Sequence, residues 1–215
     1  MIPDWAAERR EMVDTQLRRR GIRDARVLAA MLEIPREEFV PMESRVLACR
    51  DEPVQIGFGQ TISQPYMTAL MAEELALEGG ETILEVGAGC GYAAALLGAL
   101  AARVVTVEIV PQLVRQARGN LRRTCRDRNV QVVEGDGSWG YEPHAPYDAI
   151  SVAAGAPDIP PSLLDQLCDP GILVIPVGAL LDQELRVVTK QKGQIHARVS
   201  TACRFVPLRG SEGWR

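Results

Sequence analysis

Histidine is scarce in this chain, and cysteine occurs without pattern. The histidines are His144 and His196, at no spacing that suits a metal ligand set, so no metal site is expected. The five cysteines, Cys49, Cys90, Cys125, Cys168 and Cys203, are odd in number and include no Cys-x-x-Cys pair. That argues against a disulfide framework and for buried thiols in a reducing compartment. No apolar run is long enough to cross a bilayer. The opening Met1-Ile2-Pro3-Asp4 lacks a basic and apolar leader pattern, so a cytoplasmic protein is expected. Neither charge is in large excess: 24 Lys and Arg stand against 28 Asp and Glu, a net charge of -4. Nothing there favours nucleic acid or an anionic membrane as partner. Internal repeats and low-complexity linkers are also missing.

What is there suits a soluble globular protein. The chain has 215 residues, 47% hydrophobic and 24% charged, enough for one domain with a substantial core. Arg9, Arg10, Arg18, Arg19, Arg20, Arg23 and Arg26 crowd the N-terminal region and read as a solvated helix face.

The chemistry centres on Thr82-Ile83-Leu84-Glu85-Val86-Gly87-Ala88-Gly89-Cys90-Gly91-Tyr92. This predicts a buried strand, a glycine-rich turn and a helix from Tyr92 to about Leu100. Glycines let the backbone turn tightly and let a ligand approach main-chain amides. The helix would aim its partial positive charge at the turn. A second strand, Arg103 to Val107, ends in Glu108, where this kind of fold places a carboxylate that holds ribose hydroxyls. A third, Val130 to Val133, ends in Glu134-Gly135-Asp136-Gly137. These strand ends fall on one edge of a parallel sheet.

A dinucleotide fingerprint needs a third glycine three positions after the second. Tyr92 stands there, with the third glycine at Gly91 instead. Glu85, just before the turn, is an awkward neighbour for a pyrophosphate. A phosphate-free cation fits better: a sulfonium with an amino-acid tail and an adenosine. The pattern resembles the cofactor site of S-adenosylmethionine-dependent methyltransferases.

Upstream, Trp5 to Arg20 predicts a helix ended by Gly21, and Asp24 can cap a second one ended by Pro35. Asp51 to Gln64 reads as a glycine- and hydroxyl-rich loop entering a helix at Pro65. That loop either carries function or supplies Ser63 or Thr61 as a cap. Downstream the rhythm is regular. Pro111 starts a helix with Leu113, Val114, Ala117 and Leu121 on one face, and Tyr147 to Val152 is strand four. A short helix from Ile159 to Leu167 follows, then strand five, Gly171 to Val177. Glu184 to Lys190 and Gln194 to Val206 predict a closing hairpin. The expectation is an α/β fold: a three-layer α/β/α Rossmann-like sandwich, mostly parallel, with a C-terminal antiparallel hairpin and an N-terminal helical extension. Residues 1–215 are expected to form one methyltransferase unit. Within it, 1–64 would be the extension and active-site loop, and 65–215 the Rossmann-like core.

Several stretches together resemble the protein-L-isoaspartate O-methyltransferase family in its bacterial form. They are Gly57 to Met67, Ile83 to Tyr92, Val107-Glu108-Ile109, Gly135-Asp136-Gly137, Ala145 to Ile150, Ile175 to Gly178 and Phe205 to Leu208. The stretch Gln60 to Met67 is the family-specific one. Cys90 stands where serine is usual, and Phe58 where histidine or tyrosine is common. The resemblance implies methylation of the free α-carboxyl of isoaspartyl residues in damaged proteins and peptides, with S-adenosylmethionine as donor and a monomeric enzyme. It implies Ser63 as the catalytic-site residue and Gln60, Thr61 and Ile62 lining the cofactor. Glu85, Gly87 and Gly89 would surround the methionine part, Glu108 with Ile109 the ribose, and Asp136 with Gly137 the adenine. Substrate would lie against residues 53–63 and Val206-Pro207.

Three rivals remain on sequence grounds. A nicotinamide oxidoreductase is opposed by Tyr92. A serine hydrolase pairing Ser63 with His144 is opposed by the missing Gly-x-Ser-x-Gly elbow, which Ser138 lacks too. A binding module without catalysis is opposed by the intact Thr61-Ile62-Ser63.

Overall fold

The computed structural model describes residues 3–214; Met1, Ile2 and Arg215, the ends of the expected unit, lie outside them. β3 (Thr82–Val86), β4 (Arg103–Glu108), β5 (Val130–Glu134), β6 (Tyr147–Val152) and β7 (Leu167–Ala179) are joined by a seven-stranded sheet with β8 (Asp182–Gln191) and β9 (Gln194–Cys203). The order is β5-β4-β3-β6-β7-β8-β9. The first five run parallel, and β8 is antiparallel to both of its neighbours. The expected hairpin is thus present, and β7 is longer than the sequence suggested: β8 pairs with it on to Ala179, and at its other end Leu167 pairs with Tyr147 of β6.

The chain builds outward from β3 through β4 to β5, then returns to β6 on the other side of β3. A reversal of this kind opens a crevice at the strands' C-terminal ends. Side chains alternate across each strand. Ile83, Val104 and Ala149 face one core, and Leu84, Val105 and Ile150 face the other. The first core is covered by α1 (Trp5–Met12), α2 (Ala25–Glu33), α3 (Pro65–Glu74), α4 (Tyr92–Leu100) and α5 (Pro111–Arg123). The second is covered more thinly, by α6 (Pro161–Asp165) and the segment reaching Leu208.

Local chemistry sets the element ends. Asp24 accepts hydrogen bonds from the Arg26 and Val27 amides and caps α2. Pro65 and Pro111 open α3 and α5, where no N–H donor is needed. Leu113, Val114, Ala117 and Leu121 are buried, as their spacing predicts.

Two expectations need correction. Residues 54–62 form a hairpin, not a loop. β1 (Val54–Gly57) pairs with β2 (Gln60–Ile62) around Phe58 and Gly59, both with positive φ. Val54, Ile56 and Ile62 are buried under it. The arginine-rich segment is not simply a solvated face. Arg9 pairs with Glu37, and Arg26 donates to the carbonyls of Leu77 at 2.7 Å and Leu100 at 2.6 Å. Arg20 pairs with Asp51 and lies 3.5 Å above the Tyr66 ring.

Candidate active site

The glycine turn links β3 to α4 and lies in the crevice. It is pinned by backbone bonds: the Gly87 amide donates to the Val107 carbonyl at 2.8 Å, and the Gly91 amide to Ala88 at 2.8 Å. At Gly91, φ is 89°, and a Cβ would sit 3.2 Å from Ala117 Cα. The third glycine therefore lets the turn pack on α5. Tyr92, where a dinucleotide site needs glycine, is buried with its ring edge toward Phe39, 5.5 Å between centroids.

Glu108 ends β4 beside this turn. Its Oε2 accepts from the Gly89 amide at 2.8 Å and its Oε1 from the Val110 amide at 2.9 Å. An ionised carboxylate has about four lone-pair sites, so each oxygen keeps room for a further donor. The side chain is held rigidly with acceptor capacity facing the cavity, which suits a vicinal diol.

That cavity is lined by Gln60, Thr61, Ile62 and Ser63 from the hairpin side, and by Gly87, Gly89, Glu108, Ile109 and Gly137 from the strand ends. Nine of the expected site residues thus converge. Gly137 must be small there, since a Cβ would meet Val86 Cγ1 at 2.5 Å. The far wall is Val206, Pro207, Leu208 and Arg209, with Ala153 and Ala154 after β6 beside it. Leu208, Arg209, Ala153 and Ala154 were not foreseen. Ala153 and Ala154 could have been, because small residues directly after the strand beside β3 mark the crevice.

Two expected residues do not line it. Glu85 points into the sheet interior, fully buried, with Oε2 accepting from the Thr106 hydroxyl at 2.5 Å and Oε1 unpartnered. Burial pushes its pKa up to about 8, the Glu108 charge adds to this, and the Thr106 bond opposes it. It lies beneath the turn and outside the residues that line the cavity, where it was expected to meet the methionine part. Asp136 turns the other way. Its Oδ1 accepts from the Ser138 amide and hydroxyl at 2.9 and 2.6 Å, and its Oδ2 from the Ser211 amide at 2.8 Å. Partial burial works to raise its pKa, but the bonds from Ser138 and Ser211 outweigh it and hold the carboxyl below its ordinary range. Asp136 fastens the C-terminal segment, and Gly137 alone of this pair borders the cavity.

Ser63 lies between β2 and α3. No side chain caps α3, so the capping role weighed for Ser63 and Thr61 is not theirs. Ser63 also lines an adjoining hollow with Pro53, Thr61, Gln64, Met67, Ala153, Arg204, Phe205 and Val206. The two hollows meet at Thr61, Ser63, Ala153 and Val206. His144 is far in the fold: its ring contacts Arg103 and Gln131, which begin β4 and β5 at the opposite end of the parallel strands. Ser138 is buried against Asp136. No serine–histidine pair forms.

The pocket at the switch point carries the Glu108 carboxylate and the Ser63 side of the hairpin in its lining. The family model for protein-L-isoaspartate(D-aspartate) O-methyltransferase matches residues 7–213. The chain belongs to this family. Curated relatives called protein-L-isoaspartate O-methyltransferase are similar along the whole length. The one from Methanoculleus marisnigri is 50% identical over 97% of this chain and 94% of its own. That from Marinobacter nauticus, numbered 2 in its organism, is 51% identical over 98% of this chain and 97% of its own. Among solved structures, a protein-L-isoaspartate O-methyltransferase superposes with a TM-score of 0.84 at 30% identity, covering 95% of this chain and 67% of that one. A Plasmodium falciparum protein described as a β-aspartate methyltransferase was solved with S-adenosyl-L-homocysteine. It gives 0.80 at 28% identity, covering 97% and 99%. The Rossmann-like fold, the enzyme class and the S-adenosylmethionine cofactor expected from the sequence all stand.

Proposed function

We infer that this chain transfers a methyl group from S-adenosylmethionine to the free α-carboxyl of L-isoaspartyl residues in damaged proteins and peptides, initiating their repair. The observation that carries the reading is the wall of Thr61, Ser63, Ala153 and Val206 that the cofactor cavity shares with the hollow beside it, in which Ser63 brings a hydroxyl next to residues 60–62. When bound, the cofactor supplies a methyl group already activated on a sulfonium. Glu108 and the glycine turn hold its ribose and set its position. Residues 60–63 and Val206 to Arg209 enclose the space and limit water.

The acceptor needs no base. An α-carboxyl has a pKa of about 3.5 and is ionised at neutral pH. The Ser63 hydroxyl can donate to one of its oxygens without neutralising it. The amides of Tyr66 and Met67 precede the first helical bond of α3, from the Thr68 amide to the Gln64 carbonyl at 3.2 Å. They are free to face an anion at that helix end. Thr61, Gln64 and Val206 flank the route by which a peptide main chain would pass.

We take the enzyme to act as one unit over its whole length, as a monomer, in the cytoplasm, without nucleic acid or membrane. The five free thiols and the modest net charge support this. Among the described residues no helix is long and apolar enough to cross a membrane.

The test is initial rate with labelled cofactor on an isoaspartyl peptide and its aspartyl twin, from pH 8 to 6. The aspartyl carboxylate sits one carbon farther from Cα. A misplacement of about 1 Å can cost on the order of a hundredfold, so at least that ratio is expected. The rate should not fall on acidification, because the nucleophile titrates far below this range. Equal rates on the two peptides would reject the reading, and a steep fall near pH 7 would demand a histidine base.

A further inference from the structure

One buried cation lies outside the cleft and has no role in the chemistry above. Arg36 sits on a short helical turn after Pro35, in the N-terminal extension, and is fully buried. A buried charge needs an opposite charge or a full set of bonds. No carboxylate pairs with it among the described residues. Its neighbour Glu37 pairs with Arg9. Instead Nε donates to the Ala48 carbonyl at 2.6 Å and Nη2 to the Ser63 carbonyl at 2.6 Å, while Nη1 has no partner. The guanidinium carbon lies 4.8 Å from the centre of the Tyr92 ring. A cation over an aromatic face is attracted to it.

These contacts join three parts that are distant in sequence. Ala48 belongs to the extension, Ser63 is the mouth of the cleft, and Tyr92 is the first residue of α4, directly after the glycine turn. Ser63 lies between β2 and α3, one residue before Gln64, whose carbonyl accepts the first bond of α3. No side chain caps α3. The Ser63 carbonyl is itself held by the Arg36 guanidinium, a planar donor set against the Tyr92 ring.

We propose that Arg36 is a positioning residue for methyl transfer: it fixes the Ser63 main chain relative to the glycine turn, so that the Ser63 hydroxyl and the cofactor site keep one geometry. This rests on the proposed function, and it adds a reason for the N-terminal extension to matter in catalysis. Lysine keeps the charge but not the fork, and cannot reach both carbonyls in one plane.

The experiment uses the full chain with four proteins: wild type, Arg36→Lys, Ser63→Ala and the double variant. S-adenosylhomocysteine affinity is measured by calorimetry, and kcat and KM on an isoaspartyl peptide. No turnover by the wild type would sink the proposed function itself. If the wild type is active, Arg36→Lys should bind S-adenosylhomocysteine within about threefold of it, while kcat falls at least about tenfold, the scale expected of a sub-ångström shift. In the Ser63→Ala background the same change should cost less than about twofold, because residues acting through one another are not additive. A wild-type kcat in Arg36→Lys would overturn the proposal, and so would independent effects in the double variant. Arg36→Gln serves as the second variant. If neither it nor Arg36→Lys binds S-adenosylhomocysteine, Arg36 is a core residue and the positioning role is rejected.

Discussion

The floor of the cleft and its walls are held together differently. The floor runs through residues 83–92 and 104–110, a single βαβ stretch. Its shape comes from ladder hydrogen bonds, from the Gly87 amide bonding to Val107 of β4 and the Gly91 amide bonding within the turn, and from packing on α5. The walls come from opposite ends of the chain. The hairpin wall, residues 54–63, is a two-stranded sheet separate from the main one, and its Ser63 carbonyl is held by Arg36 of the extension. The tail wall, Val206 to Arg209, is tied by short bridges. Gly155 exchanges bonds with Val206 and Leu208, Asp136 and Ser138 take the Ser211 and Glu212 amides, and the Trp214 ring donates to Gly155 at 3.0 Å. A floor of backbone bonds tolerates few changes, and changes there should act on the cofactor. Walls held by isolated bridges and a few side chains should be separable, and changes there should act on turnover and on the peptide.

The largest expected effect is at the floor. Glu108→Ala removes the ribose acceptor and also strands the Gly89 and Val110 amides. Bonds to a charged group contribute about 1.5–3 kcal/mol, and the stranded donors push the loss to the upper end, on the order of a hundredfold in S-adenosylhomocysteine affinity. Calorimetry checks it, and unchanged affinity would remove Glu108 from the ribose site. Next comes the hairpin wall. Ser63→Ala should lower kcat by about ten- to a hundredfold, the range set by loss of orientation, with cofactor affinity nearly intact. Wild-type turnover in that variant would assign the orienting to the α3 amides alone.

The tail wall should give a smaller, more selective change. Asp136→Ala releases the Ser211 amide, and peptide KM should rise by up to about tenfold, the loss of one bond to a charged group. Cofactor affinity should move less. Gly210→Ala should reproduce it. A Cβ there would fall 2.1 Å from Asp136 Oδ1, and φ is +151°. If either variant weakens the cofactor more than the peptide, the division into floor and wall fails, and Asp136 returns to the adenine.

How far the sequence revealed this site follows the same division. The floor was legible because strand, turn and helix are contiguous, and their periodicity and glycines are local signals. Helix α4 begins and ends where the pattern placed it, Tyr92 to Leu100. The walls were less so. The hairpin was read as a loop because its turn puts Phe58, not asparagine or glycine, at a positive φ of 56°. Val54 and Ile56 did carry the alternation, but two apolar residues are too few to decide. Asp136 and Glu85 were misplaced for one shared reason. A carboxylate at or near a strand's C-terminal end can face the crevice, the sheet interior or a neighbouring segment, and only the pleat and the tertiary partner decide. Glu108 faces the crevice, Glu85 the interior and Asp136 the tail.

Glu85 gives the subtlest test, since the expected effect on the cofactor is nil. Its carboxyl is buried beneath the turn, with its pKa raised by that burial to about 8. In the unfolded chain a glutamate titrates near 4.3. Between these values the folded state keeps a proton that the unfolded state has lost. Its stability contribution is therefore full below the unfolded pKa, declines as pH rises through neutrality, and levels off above about 8. Glu85→Gln imitates the protonated form and does not titrate. Its amide can still meet the Thr106 hydroxyl, which accepts as well as donates. Near pH 4, where folded and unfolded wild type both hold the proton, the two proteins should melt at similar temperatures. Toward pH 9 the wild type should fall behind, so that the difference in Tm grows in favour of the variant. S-adenosylhomocysteine affinity at pH 7 should be the same in both, within about twofold. A pH-independent difference in Tm would mean that the carboxyl is ionised in the fold and that Thr106 and the strand amides solvate it. A large loss of affinity would instead bring Glu85 up through the turn to the methionine part, and the floor would then depend on a side chain after all.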